Sequence, residues 1–133
     1  MSKRGSAPEE LLRFLDVFEK SGFSFGEVSA RPGEIAHASL AQEVLAFTEK
    51  LYETGFLIQF DWPEWQDVAE TYVNDLSKLK TADVETLRKL LTLHVRKDRF
   101  CDGHLLDMFE SGHIAAILRR LRELHQLTTK PRR

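Results

Sequence analysis

The sequence predicts an α+β domain that is predominantly helical, with about six helices and two or three short N-terminal strands. Apolar side chains recur at three- and four-residue spacing along most of the chain, the signature of amphipathic helices. Capping and stop residues divide that pattern into separate stretches. Only residues 23–38 and 56–60 break into short apolar runs flanked by turn formers.

The first helix opens with Ser6 three residues before Glu9, a capping-box spacing, and with Pro8 in the first turn. Leu11, Leu12, Leu15 and Phe18 form its stripe, and Gly22 ends it. Phe23 and Phe25, then the turn signal Arg31-Pro32-Gly33-Glu34, suggest two extended segments around a type II turn. A second helix is expected from Ser39, with Gln42 completing the cap, Leu40, Val44, Phe47 and Leu51 facing inward, and Gly55 as left-handed terminator. Phe56, Leu57, Ile58 and Phe60 are too few for a helix and read as a third short strand or a buried extended segment.

Asp61 followed by Glu64, with Pro63 in the first turn, marks a third helix whose inner face is Trp65, Val68 and Tyr72. A loop is expected after Asn74-Asp75. Thr81 or Asp83 then caps a fourth helix with a broad sector of Val84, Leu87, Leu90, Leu91 and Val95. Beyond it, Leu105, Leu106 and Phe109 point about 110° away from Ile114, Ile117, Leu118, Leu121 and Leu124 at roughly 100° per residue. One straight helix cannot bury both sets. Corners at Cys101-Asp102-Gly103 and Ser111-Gly112 therefore separate a fourth, fifth and sixth helix.

The chain has 133 residues, 42% hydrophobic and 30% charged, which suits one globular domain, assigned to residues 9–127. Residues 1–8 and the basic 128–133 carry little to bury and are expected to be flexible tails. A single cysteine excludes an internal disulfide. The net charge of −2 excludes a global polycation for nucleic acid. No apolar run approaches the roughly 20 residues of a membrane span, and MSKRGSAPEE lacks a signal peptide's apolar stretch, so a cytoplasmic protein is expected.

The main functional clue is HVRKDRFCDGHLLDMFESGH, residues 94–113, with three His, the only Cys, three Lys or Arg and four carboxylates. If the fourth helix runs on to Arg99, Asp98 shares the sector of Leu87, Leu91 and Val95, with His94 near its edge. A carboxylate facing a core requires a partner, an Arg, a His or helix amides, with Arg96, Arg99 and His113 as candidates; the resulting reading is a structural Arg/Asp/His network pinning the corners. Two chemical readings stand beside it. Cys101-x-x-His104 with His113 or Glu110 has ligand types used by zinc, although one mixed pair is far short of a full signature. Cys101 as a nucleophile with His104 as its base is the other, against the simpler view of Cys101 as a small core residue.

Residues 87–100 carry five basic and one acidic residue, and residues 113–133 six basic and one acidic, whereas residues 61–86 hold two basic and seven acidic. The basic C-terminal helices are thus a candidate nucleic-acid surface, although Arg119, Arg120 and Arg122 also suit an ordinary solvated helix face. Trp62 and Trp65 are candidate binding anchors as well as candidate core residues. Leu93, opposite the apolar sector of its helix, suggests self-association.

TADVETLRKLLTLHVRKDRFCDGHLLDMFESGHIAAILRRLREL, with FDWPEW and LYETGF, resembles an uncharacterised bacterial domain-of-unknown-function family over roughly residues 9–127. Its distinctive elements fall here on Leu87–Thr92, His94–Arg96, Asp98–Cys101, Gly103–Leu105, Phe109–His113 and Ile117–Leu121. Asp102 stands where such sequences more often carry Glu. The resemblance implies a shared fold without naming a reaction or cofactor, and draws attention to Arg96, Asp98, Arg99, Cys101, His104, Glu110 and His113. The reading reached from sequence is a binding or protein-interaction module, with a protein partner or a second copy of itself. The alternatives are a hydrolase or metal-dependent enzyme using Cys101, His104 and His113, and a nucleic-acid-binding protein.

Overall fold

Residues 7–29, 32–33 and 37–129 are described by a computed structural model, and they form a predominantly helical α+β fold. Helix α1 (Ala7–Phe18) leads into strands β1 (Gly26–Ser29) and β2 (His37–Leu40), then α2 (Gln42–Glu53). A 3₁₀ turn at Pro63–Trp65 opens α3 (Gln66–Asn74), and another 3₁₀ stretch at Leu76–Thr81 precedes α4 (Val84–Lys97), α5 (His104–Glu110) and α6 (His113–Thr129). Ser6, Arg31, Glu34 and most of both expected tails lie outside the described residues.

Among the described residues, positive φ occurs only at Gly22, Gly33, Gly55, Gly103 and Gly112. These are the positions where the sequence required a helix end, a type II turn or a corner, because a side chain at such a φ is strained. Both C-terminal corners are therefore real, and α5 and α6 bury Leu105, Leu106 and Phe109, and Ile114, Ile117, Leu118 and Leu121, on their separate faces.

β1 and β2 pair antiparallel with Gly26 opposite Leu40. A Cβ at Gly26 would lie 2.2 Å from the Ser39 carbonyl oxygen, so this pairing needs a bare Cα. Ser39 lies inside β2 instead of capping α2: Ala41 N–H still donates to Phe25 O at 2.8 Å, the chain stays extended through Ala41, and no side chain caps the helix.

Residues 56–60 form no third strand, because side chains of α4 take their backbone groups. Arg88 donates to the carbonyls of Gly55 and Phe56, each at 2.8 Å, and Ile58 N–H donates to Thr92 Oγ1 at 3.0 Å. Asp61 makes no cap either; Trp62 precedes the 3₁₀ turn, and the turn shifts the phase of α3 so that Ala69, not Val68, is buried. Val68 and Val84 are exposed. The expected loop after Asn74 is a 3₁₀ stretch whose start is capped by Asp75, which accepts from Ser77 N–H. Asp83, of the two candidates, caps α4 through Thr86 N–H at 2.8 Å.

α4 is the central helix. Leu90, Leu91, Thr92, Leu93, His94 and Val95 are consecutive and all buried, so it is covered on nearly every side. Leu93, expected on the surface and offered as a contact for self-association, is 2% exposed. α1 packs along α6 and α2, and Phe14, Phe18, Phe25, Phe47 and Phe109 interlock beside it with ring centroids 5.0–6.0 Å apart.

Candidate functional site

The cluster predicted between residues 94 and 113 is divided by the two corners into an inner and an outer group. The inner group is histidine. His94 lies in the last turn of α4, while His104 and His113 are the first residues of α5 and α6, each directly after a left-handed glycine. His94 Nδ1 and His104 Nε2 are hydrogen-bonded at 3.0 Å. The His113 ring stands edge-on to His94, with centroids 4.9 Å apart and planes at 86°.

His94 is 1% and His113 0% exposed, and among the described residues His94 Nε2 and both ring nitrogens of His113 have no hydrogen-bond partner. Burial is the main reason all three rings resist protonation. His94 is held well below the ordinary imidazole value, with the neighbouring His113, His104 and Lys97 adding to the effect. His104 is lowered by burial and then by Lys97, and His113 is brought to about 4 by burial and then by His104. At neutral pH the junction is a set of uncharged imidazoles.

His94 and His104 also line a cleft of about 250 Å³ between α3 and the α4–α5 corner. Ala69, Val73, Leu93 and Met108 supply its apolar surface, and Gln66, Glu70, Asn74 and Lys97 its polar rim.

The outer group turns away from the core. Asp98 is half-buried, and its Oδ1 accepts from Leu105 N–H at 2.9 Å. It thereby serves α5 as the capping side chain that Gly103 cannot provide. Of the expected partners Asp98 takes a helix amide, and the ion-pair network is corrected: among the described residues Asp98 has no ion pair with Arg96, Arg99 or His113. Asp102 reaches back to β2 and accepts from Ala38 N–H at 2.9 Å.

Arg99 donates to Tyr52 Oη at 3.3 Å, and the Arg96 guanidinium lies 5.9 Å from the centre of the same ring. Phe100, 78% exposed, lies 6.1 Å from Trp62 between ring centroids. Trp65 belongs to a different contact, stacked on Tyr72 and edge-on to Phe60. Glu110 is exposed at the end of α5.

Cys101 is exposed, not a core residue, because α4 stops at Lys97 and the following turn carries Phe100 and Cys101 outward. Since His113 is fully buried and His104 Nε2 is taken by His94, the Cys101, His104 and His113 set does not converge. Among the described residues no group of three or more His, Cys, Asp or Glu side chains is arranged to hold a metal ion.

Lys97 and the α3 face of Gln66, Glu70 and Asn74 are site residues the sequence reading did not single out, and His94 was placed only near the edge of the apolar sector of its helix. Their signal lay in Leu90–Val95, six positions without a formal charge between Lys89 and Arg96, which mark α4 as enclosed and oblige a histidine within it to meet other protein. Residues 5–126 match the model of a family described as a family of unknown function (DUF6508). No curated protein and no solved structure matches the chain.

Proposed function

The chain belongs to that family of unknown function, and from its surface we propose a binding module that docks an acidic segment of a partner protein at the corner where α4 ends. Phe100 carries the reading: a side chain 78% exposed, in contact with Trp62 and next in sequence to Arg99, is a large aromatic surface in water. Tyr52, Trp62, Phe100, Arg96 and Arg99 have the aromatic and arginine composition of interface hot spots. Among the described residues neither Arg96 nor Arg99 has a carboxylate partner, so both guanidiniums remain open to bidentate contact with one.

An acidic protein segment is favoured over nucleic acid because much of the other basic surface is already engaged. Arg119 pairs with Glu19, Arg120 with Glu123 and the Ala82 carbonyl, and Arg88 with two backbone carbonyls. A patch two guanidiniums wide suits a pair of carboxylates better than a phosphate backbone. No described helix is long and apolar enough to cross a membrane, and a cytoplasmic setting with a reduced Cys101 is part of the same proposal.

Titration of isotope-labelled protein with an oligoglutamate peptide tests it. Salt-sensitive shifts are expected at Tyr52, Arg96, Arg99 and Phe100, with each Arg→Ala change at 96 or 99 weakening binding up to about fivefold. No response at this corner, or a stronger one to an oligonucleotide, overturns the assignment.

A further inference from the structure

None of Tyr52, Trp62, Arg96, Arg99 and Phe100 lines the histidine cleft, whose rim carries opposite charges, Glu70 on α3 and Lys97 on α4. Among the described residues neither makes an ion pair, with the other or with any third group. Two unlike charges on the rim of one cleft, not paired with each other, are matched by a molecule that bears both signs itself. The cleft's volume of about 250 Å³ is below the roughly 300–1,000 Å³ of sites for drug-sized ligands, which restricts the occupant to a small metabolite. We propose that this cleft binds a free aliphatic α-amino acid, with its ammonium on Glu70, its carboxylate on Lys97 and His104, and its side chain against Val73, Leu93 and Met108.

The histidine pair supports the carboxylate end. A buried N–H without an acceptor costs more than a buried lone pair without a donor, so the orphaned Nε2 of His94 is best left bare. The proton of His94 then sits on Nδ1 and is donated to His104 Nε2, which leaves the proton of His104 on its own Nδ1. The free nitrogen of His104 is consequently a donor, the polarity a carboxylate requires. Lys97 stands three residues after His94 on α4 and lines the same cleft as His94 and His104, which brings its positive charge to the same end.

Titration with L-leucine, monitored by the ring resonances of His94 and His104 and by calorimetry, tests the assignment. Saturable binding is expected, with His104 showing the Nδ1–H tautomer in its ring ¹⁵N shifts. 4-Methylpentanoate, which lacks the ammonium, and 3-methylbutylamine, which lacks the carboxylate, should each bind about tenfold more weakly or worse. Glu70→Gln and Lys97→Met should each cost a similar factor for leucine with an unchanged circular dichroism spectrum. The proposal fails if leucine leaves both rings unmoved, if 4-methylpentanoate binds as tightly as leucine, or if both charge variants retain full affinity. Neither Glu70 nor Lys97 is among the docking residues Tyr52, Trp62, Arg96, Arg99 and Phe100, so oligoglutamate binding by the two variants keeps failure here distinct from failure of the docking surface.

Discussion

Lowering the pH from 7 to 5 should load protons onto the unfolded chain that the folded core refuses. His113 titrates near 6.5 when unfolded and at about 4 in the folded protein, where it is fully buried. Between those values the unfolded state binds more protons, so stability rises with pH and is lost as pH falls, at up to about 1.4 kcal/mol per pH unit for this one group. Integrated from pH 7 to 5, His113 alone removes about 2 kcal/mol, a large share of the roughly 5–15 kcal/mol typical of a domain. His94 is lowered in the same direction, also chiefly by burial, and steepens the fall. Asp75 and Asp83 also have lowered values, but their contribution is present above the ordinary carboxylate value of 3.8 and is lost only on going below it. The pH 5–7 window thus isolates the histidine junction. Urea denaturation followed by circular dichroism at pH 7, 6 and 5 measures the slope, and His113→Leu provides the control. Leucine has no ring nitrogen to leave unpaired, so the variant should match or exceed the parent at pH 7 and lose about 2 kcal/mol less on acidification. A parent stability that is flat across the window, or a variant with the parent's slope, would refute the argument that burial keeps these rings neutral.

Gly26→Ala drives a Cβ to 2.2 Å from the Ser39 carbonyl oxygen and should destabilise the protein by about 1–3 kcal/mol or more, read as a lower urea midpoint; an unchanged midpoint would contradict the observed strand register. Asp98→Ala should cost about 1–2 kcal/mol by stranding the Leu105 amide, while Asp98→Asn, which keeps an acceptor oxygen, should recover most of that loss; equal losses in both would point instead to an ion pair. Cys101 should react with Ellman's reagent in native protein as fast as in urea, whereas a thiol that becomes reactive only on unfolding would contradict its exposed position.

What the sequence revealed and concealed follows from the range of the interactions involved. Helix ends were legible because Gly22, Gly55, Gly103 and Gly112 each solve a local backbone problem, and the angular mismatch between Phe109 and Ile114 made a corner compulsory. Asp83 was legible as a cap for the same reason, since its partner Thr86 is three residues away. Whether residues 56–60 were a third strand or a buried extended segment was not legible, because their hydrogen-bond partners, Arg88 and Thr92, lie more than 30 positions on, and no local pattern announces a side chain that replaces a neighbouring strand. The polar cluster was legible as a cluster and misassigned in detail. Asp98 was extrapolated along a helix that in fact ends at Lys97, and one residue past that end the carboxylate meets the next helix's amide instead of the core. Leu93 misled in the opposite sense: a single-face reading of α4 left it in water, whereas burial from Leu90 through Val95 shows neighbours on the other side as well.

The two corners repeat one construction, a left-handed glycine followed at once by a histidine, at 103–104 and at 112–113. Glycine turns the chain; the histidine after it begins the next helix and points back to His94 or packs on its ring. For His113, at the first residue of the 17-residue α6, the positive end of the helix opposes an imidazolium in the same sense as burial does. Three rings so placed can share one junction only while uncharged, since two protonated neighbours would repel without water to screen them. The packing that closes α5 and α6 onto α4 therefore also keeps His94 uncharged, and in the tautomer proposed above, with His94 Nδ1 donating, it leaves Nδ1 of His104 as a donor. Core stability and the polarity of the cleft depend on a single protonation state, so a perturbation that charges the junction should weaken the fold and alter the cleft over one and the same pH range.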